Sequence, residues 1–184
     1  MVEKLIIILN GPRAVGKSYL SQRIVDLFDA EKISMSILLQ KEANKRNIST
    51  TNFVEDILKN SAELKIRLIM KTINSILKNN DTICIESVYN QKEIDFIKKH
   101  INAKYKNSKV LSIYLDSNNE ILVKRLMKRE KISEKAALLN LMLVNLGRNK
   151  LGMHSINYDI VQKHENNKDS NKIIKRIFKN KRRF

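Results

Sequence analysis

A stretch of eight residues, Gly11–Ser18, has the pattern G-x-x-x-x-G-K-S and could bind phosphate. Glycines at this spacing let the backbone curl, so that successive N–H groups point inward around phosphate oxygens. Lys17 is then placed to reach the β- and γ-phosphates of a nucleotide, and Ser18 offers a hydroxyl group to Mg²⁺. Arg13 either contacts phosphate or caps the outer surface of the loop. The residues predicted to contact the nucleotide here are Gly11, Arg13, Ala14, Val15, Gly16, Lys17, Ser18 and Tyr19.

Acidic side chains end two apolar runs further along the chain. Glu86 closes one run and Asp116 closes the next. Ligands of open α/β sheets bind beyond the carboxyl ends of the strands. A carboxylate there can join the Mg²⁺ shell or accept the proton of an acceptor hydroxyl group. We predict that Glu86 has this role, with Asp116 as the alternative; Asp116 could instead help to start the following helix.

Three arginines are candidates for contacts with the nucleotide or the transferring phosphoryl group. Arg125 and Arg129 are four residues apart on a predicted helix, so they share one face. Two guanidinium groups on one face can neutralise charge that grows during phosphoryl transfer. Neighbouring lysines make a solvated basic face the alternative. Arg148 follows the next predicted helix, in a segment that could swing it inward. Isolated surface positions are predicted for His100, His154 and His164, and a core position for Cys84.

The elements that must position these residues alternate between short apolar runs and longer helical stretches. Leu5–Leu9 is continuous and rich in β-branched residues, which is typical of a strand buried on both faces. Further strands are predicted at 82–86, 110–115 and 158–161, with a very short one at 33–35. Helices are predicted over 19–28, 37–47, 53–58, 64–77, 93–101, 120–129 and 135–146, and near the C-terminus. This alternation predicts an α/β fold with three layers, α/β/α, around a parallel five-stranded sheet.

The composition of the 184 residues suits one domain and excludes several classes of protein. The longest early apolar run is too short for a membrane span or a secretory signal. One cysteine offers neither an internal disulfide nor a metal cluster, so we expect a cytoplasmic protein. The net charge of +17 could attract nucleic acid. That partner is not favoured, because the lysines are scattered and no basic stripe carries aromatic residues.

Together these residues resemble the P-loop nucleoside monophosphate kinase superfamily, in particular its small archaeal-type adenylate-kinase-like and dephospho-CoA-kinase-like members. Besides the loop, the resemblance involves ISMSILLQKEA at 33–43, IESVYNQKEI at 85–94, the R-x-x-x-R of Arg125 and Arg129, and YDIV at 158–161. It implies a P-loop NTPase fold in a single kinase-like domain, 1–184. It also implies a helical acceptor-side insert at about 36–79 and a helical lid at about 130–152.

The expected activity is that of a kinase that uses Mg²⁺ and ATP to phosphorylate a small nucleotide-like acceptor. In this hypothesis Arg125 lies against the adenine, and closure of the lid excludes water from the transfer. Ser18 and Glu86 are the predicted metal ligands. The predicted catalytic residues are Lys17, Glu86, Arg129 and Arg148.

The sequence departs from the family pattern on the acceptor side. Gln40 and Tyr89 stand where the family has arginines that bind the acceptor phosphate. Neither side chain carries the charge of a guanidinium group, so the acceptor side is altered while the donor side is intact. Two alternative functions follow: a nucleotide-dependent ATPase that binds or processes nucleic acid, and an ATP-binding protein that has lost catalysis.

Overall fold

The computed structural model describes residues 4–54, 62–88, 90–150 and 156–181. Its strands are β1 (Lys4–Asn10), β2 (Glu31–Ser34), β3 (Thr82–Glu86), β4 (Ser108–Asp116) and β5 (Ile160–Lys163). The helices with both ends in these segments are α1 (Lys17–Phe28), α2 (Met35–Lys45), α3 (Ala62–Ile76), α4 (Gln91–Lys104), α5 (Asn119–Glu130), α6 (Glu134–Lys150) and α7 (Asn167–Lys181). Residues 50–54 are also helical.

The strands form one parallel sheet in the order β2-β3-β1-β4-β5. In this sheet β1 is central and pairs with β3 on one side and with β4 on the other. The chain first crosses from β1 to β2 at one edge and later passes to β4 and β5 on the opposite side. The carboxyl end of β1 is therefore a point where the strand order switches, which is where α/β sheets bind ligands.

The two faces of β1 pack into two separate halves of the core. Leu5, Ile7 and Leu9 face α1, α5 and α7, while Ile6 and Ile8 face α3 and α4. All five side chains are fully buried, and each such burial is worth roughly 1.5–3 kcal/mol. Helices on both faces of a parallel sheet confirm the predicted three-layer α/β/α fold, because a strand with two apolar faces needs cover on both.

In the described segments, the predicted strands and helices agree with the structure in type and differ in their ends. The predicted helix at 53–58 lies mostly outside the described residues. The helix α1 begins at Lys17, two residues earlier than predicted, and β5 begins two residues later than predicted. The helix α6 continues to Lys150, so Arg148 lies within a helix and not after one. Cys84 is fully buried in β3, as predicted. In the described segments, no helix combines the length and apolar character needed to cross a membrane.

Candidate active site

The phosphate loop follows β1, and its backbone takes conformations that side chains rarely allow. Gly11 and Gly16 have φ angles of +142° and +98°, and Ala14 has +63°. A Cβ atom on Gly11 would lie 2.4 Å from the carbonyl oxygen of Leu115, and one on Gly16 would lie 2.7 Å from Cε1 of His164. Both glycines are therefore required where the loop presses against the end of β4 and against the imidazole ring.

The first turn of α1 faces the inside of this loop. Because the helix begins at Lys17, its unpaired N–H groups and the positive end of its dipole lie at the loop. Nζ of Lys17 donates to the carbonyl oxygens of Gly11 and Pro12, each at 2.9 Å. The ammonium group thus lies beside the curled backbone of the loop, where it can also bind a phosphate.

A cavity of about 630 Å³ opens over the loop, and this is the size of a small-molecule site. Four of its described lining side chains are cationic: Arg13, Lys17, Arg125 and Arg129. Positive charge gathered in a cleft favours a polyanion such as the phosphate chain of a nucleotide. The other described lining residues are Ala14, Gly16, Ser18, Tyr19, Ser36 and Val144.

Glu86 closes β3, as predicted, and its carboxylate reaches the α1 side of the sheet. The Ser21 hydroxyl donates a short hydrogen bond to it, and Nζ of Lys32 lies 2.9 Å from the same oxygen. Ser21 lies one turn beyond Ser18 and also contacts the Ser18 carbonyl oxygen at 3.1 Å. Glu86 therefore lies behind the helical turn that carries Ser18 and is not among the described residues lining the cavity.

The oxygen atoms of Ser18 and Glu86 suit Mg²⁺, which prefers hard oxygen ligands. Mg²⁺ usually keeps several waters and binds through one or two carboxylates and the phosphates of its ligand. Over the described segments, no group of three or more His, Cys, Asp or Glu side chains could hold a metal ion. Ser18 lines the cavity and would lie beside nucleotide phosphates, whereas the carboxylate of Glu86 contacts Ser21 and Lys32. Asp116 is not among the described residues that line the cavity. Its backbone carbonyl oxygen accepts a hydrogen bond from the backbone N–H of His164 at 2.8 Å.

Arg125 lines the cavity, and it also ties the phosphate loop to the segment after β5. Its Nη1 donates to the carbonyl oxygens of Val15 and His164, each at 3.1 Å. Its Nη2 donates to the carbonyl oxygen of Glu165 at 2.6 Å. A second cavity of about 270 Å³ borders the same arginine. The lining residues of this second cavity are Gly16, Tyr19, Arg125, His164, Glu165, Asn166 and Asn167.

Glu130 joins the two other cavity arginines at the end of α5. Its Oε1 lies 2.6 Å from Nη2 of Arg13 and 2.7 Å from Nη2 of Arg129. These hydrogen bonds, with the Arg129 bond the strongest influence, hold the pKa of Glu130 below its usual value. Arg13 also donates to Oδ1 of Asn140 in α6 at 3.0 Å. Arg13 therefore connects the phosphate loop with both helices that flank residue 131. The side chain of Arg148 lies outside the described residues.

His164 is a structural partner of the loop that sequence reasoning missed, and the predicted surface position is wrong. The residue is 3% exposed, and its Nδ1 lies 2.7 Å from the carbonyl oxygen of Val15. Because a carbonyl only accepts, Nδ1 carries the proton and Nε2 accepts from the Ser170 hydroxyl at 2.7 Å. Burial lowers the pKa of His164, and the charge of Arg125 adds to this, against the opposing Val15 hydrogen bond. One signal was present: the residue directly follows β5, at the carboxyl edge of the sheet.

On the opposite side of the cavity, α2 contributes Ser36. Its hydroxyl oxygen lies 3.0 Å from that of Ser34 at the end of β2. Gln40 is exposed one turn further along α2, and Tyr89 falls outside the described residues. The structure thus brings six of the eight predicted loop residues, all but Gly11 and Val15, together with Arg125 and Arg129 around one cavity and faces them with a serine.

Comparison with known proteins agrees with this geometry. A family model described as AAA domain matches residues 7–149. No curated protein matches the sequence significantly. Among solved structures, the TT1252 protein of Thermus thermophilus is similar over 97% of this chain and 98% of its own, with a TM-score of 0.63 and 11% identity.

Some of the similar structures have named activities. The shikimate kinase of Aquifex aeolicus covers 95% of this chain with 97% of its own, at a TM-score of 0.55 and 15% identity. The gluconokinase of Sinorhizobium meliloti covers 95% of this chain with 93% of its own, at a TM-score of 0.54 and 10% identity. The fold is therefore that of the P-loop kinases. The finer resemblance to adenylate kinases and dephospho-CoA kinases stays a prediction.

Proposed function

We propose that the chain, which belongs to the AAA domain family, is a Mg-ATP-dependent kinase that transfers the γ-phosphoryl group to a small nucleotide-like acceptor. The observation that carries this proposal is the single cavity in which four cations surround a phosphate loop and the start of α1. A fold shared with P-loop kinases supports it. Such kinases act mainly by positioning and by electrostatic stabilisation, for which this cavity supplies the groups.

The donor nucleotide binds with its phosphates in the loop. Lys17 and the backbone N–H groups of Gly11–Ser18 contact the phosphate oxygens, and Arg125 and Tyr19 border the space beside them. Ser18 and Glu86 hold Mg²⁺, which supplies positive charge that neutralises the phosphates. The loop keeps this geometry because Arg125 and His164 hold its backbone from outside.

During transfer, the acceptor oxygen bonds to the γ-phosphorus while the bond to the β–γ bridging oxygen breaks. Lys17 and Arg129 neutralise the charge that spreads over the phosphoryl oxygens, and Arg148 joins them when residues 130–152 close as a lid. Arg13 couples this closure to the loop, since it contacts both Glu130 and Asn140. The insert at about 36–79 holds the acceptor on the side of Ser36.

The test is ADP release from Mg-ATP across a panel of nucleosides, nucleoside monophosphates, dephospho-CoA and 5′-hydroxyl RNA. Stimulation by an acceptor should fall at least about 100-fold in Lys17→Ala, because one donor to the developing charge is lost. Lys99→Ala, at an exposed position of α4, is the matched control and should behave as the wild type. ATP binding without stimulation by any acceptor would instead indicate a protein that has lost catalysis.

A second candidate function is favoured by the exposed face of α7. Its cations recur at helical spacing and are Lys168, Lys172, Lys175, Arg176 and Lys179. Such a face suits the phosphates of nucleic acid, whose binding weakens steeply with salt. ATP-dependent RNA binding with a steep salt dependence would favour this candidate over the kinase. Weak RNA binding that is the same with and without ATP would exclude this candidate function.

A further inference from the structure

Among the described residues that line the main cavity, the positive charges lie on one side. Arg13 and Lys17 come from the phosphate loop and the start of α1, and Arg125 and Arg129 come from α5. The acceptor side, meaning β2, α2, α3 and the first turn of α4, contributes Ser36 to the described lining. A ligand that spans the cavity therefore meets cations at one end and a hydroxyl group at the other.

Two lysines on the acceptor side are already neutralised by carboxylates of low exposure. Nζ of Lys32 lies 2.9 Å from Glu86, and Nζ of Lys65 lies 2.8 Å from both carboxylate oxygens of Glu93. Both glutamates are 7% exposed. An anionic acceptor could recruit Lys65 only by leaving the carboxylate of Glu93 without its cation, and such an exchange is costly.

What the described residues of this side offer instead is neutral hydrogen bonding, next to one exposed apolar residue. The hydroxyl groups of Ser34 and Ser36 lie 3.0 Å apart, and each can donate one hydrogen bond and accept others. Ile37, the next residue of α2, is 52% exposed. Hydroxyl groups of this kind pair well with the alcohol groups of an uncharged ligand and offer no charge to a phosphate.

We propose that the acceptor is an uncharged alcohol, a molecule of nucleoside type, that carries neither phosphate nor carboxylate where it faces Ser36. The inference rests on the proposed kinase activity and names the substrate class of that site. In the reaction, the alcohol oxygen forms the new bond to the γ-phosphorus and the bond to the β–γ bridging oxygen breaks. The electron pair of that bond leaves with ADP, and the hydroxyl proton passes to solvent water. The product is a phosphate monoester.

The test compares matched pairs of acceptors that differ by one phosphate. Each common ribonucleoside is paired with its 5′-monophosphate, and ribose and glycerol are paired with their monophosphates. ADP formation from Mg-ATP is measured, and the phosphorylated product is identified by its phosphorus-31 NMR spectrum. We expect the uncharged member of the preferred pair to have a kcat/KM at least about tenfold higher, because its partner brings an unpaired charge to the serine side.

Substitutions at Ser36 test the same site from the protein. Ser36→Ala should raise the KM of the alcohol several-fold and leave the KM of ATP unchanged, while Ser75→Ala on the exposed face of α3 should change neither. Ser36→Arg should shift the preference about tenfold towards the phosphorylated member, because a guanidinium group pairs with phosphate.

The outcomes separate this inference from the proposed function. Faster transfer to phosphorylated members, sensitive to Lys17→Ala, would overturn the uncharged acceptor and keep the kinase. Unchanged kinetics in both Ser36 variants would also overturn it. Failure of every acceptor to raise ADP release would remove the kinase activity, and the inference with it.

Discussion

The phosphate loop and the proposed acceptor side face each other across one cavity, and they present different chemical groups to it. The loop uses backbone groups fixed by Gly11 and Gly16, by the start of α1 and by outside contacts from Arg125 and His164. The acceptor side uses the hydroxyl groups of Ser34 and Ser36. Its lysines at positions 32 and 65 are bound to carboxylates.

This difference explains why one region matches a motif and the other does not. A backbone cradle for phosphate needs glycines and a lysine at set spacings, because few sequences adopt those φ angles. A side-chain surface can change its ligand by single substitutions at exposed positions without disturbing the fold. In the proposed kinase, the donor nucleotide would therefore be set by the fold, and the acceptor by a few exposed residues.

The strongest way to break this contrast is to disturb the backbone of the loop. Gly16→Ala places a Cβ atom where His164 leaves 2.7 Å, at a φ of +98° that alanine rarely adopts. We expect a loss of ATP affinity of at least about 100-fold, since the N–H groups of the loop no longer converge. Isothermal titration with ATP measures this directly.

Gly147→Ala is the matched control for that substitution. Gly147 lies in α6, and an added Cβ atom there meets nothing within 4 Å. The Gly147→Ala variant should bind ATP as the wild type does, and its alanine should stabilise the helix by about 0.5–1 kcal/mol. Equal ATP affinity in the two glycine variants would contradict the backbone cradle.

On the acceptor side, loss of the Lys65 charge should lower the stability of the protein and leave ATP binding unchanged. Lys65→Met leaves the carboxylate of Glu93 without its cation, in a pair whose side chains are only 14% and 10% exposed. We expect a loss of about 2 kcal/mol in the free energy of unfolding, measured with urea, and unchanged ATP affinity. Lys71→Met, at an exposed position of the same helix, should cost little.

The double variant Lys65→Met/Glu93→Leu checks the cause of that loss. It removes the stranded charge, so it should recover most of the stability lost in the single variant. A double variant no more stable than Lys65→Met would show that Lys65 acts by packing and not as a counter-charge.

Much of this architecture could be predicted because it follows from residue patterns. The apolar run at Leu5–Leu9 predicted a doubly buried strand, and the loop motif predicted the turn that leads into α1. His164 could not be recognised in the same way, because its partner Val15 lies 149 residues away along the chain. The pairing of Lys65 with Glu93 could not be predicted for the same reason, since only the packing of α3 on α4 brings these two residues together.

A substitution at His164 should weaken ATP binding on the donor side and leave binding of the acceptor unchanged. His164→Ala removes the support of the Val15 carbonyl group and opens a space beside Gly16, so the KM of ATP should rise about tenfold. His164→Asn keeps a donor at a position close to Nδ1 and should restore part of this affinity. The KM of the acceptor should stay constant in both, and a change in it would contradict separate donor and acceptor sites.

The smallest expected effect is a pH dependence that belongs to the donor side. Burial holds the pKa of His164 below its usual value, so the unfolded chain binds a proton at a higher pH than the folded protein. The stability contributed by the neutral ring is complete above the ordinary histidine pKa of about 6.5 and is lost as the pH falls from there towards the lowered value. Glu130, whose pKa is lowered from 4.5, stays charged over this range and does not contribute.

Thermal unfolding of the wild type and His164→Asn at pH values of about 7.5 and 5.5 separates this contribution from every other titrating group. Asparagine does not titrate, while the remaining histidines are common to both proteins. The wild type should lose about 2–3 °C more in Tm than the variant on acidification, because its unfolded chain takes up a proton at residue 164 that the folded protein resists. Parallel losses in the two proteins would show that the pKa of His164 is the same in the folded and the unfolded chain. In that case burial of the ring beside Val15 would not disfavour its charged form, and His164 would add no pH dependence to the donor side.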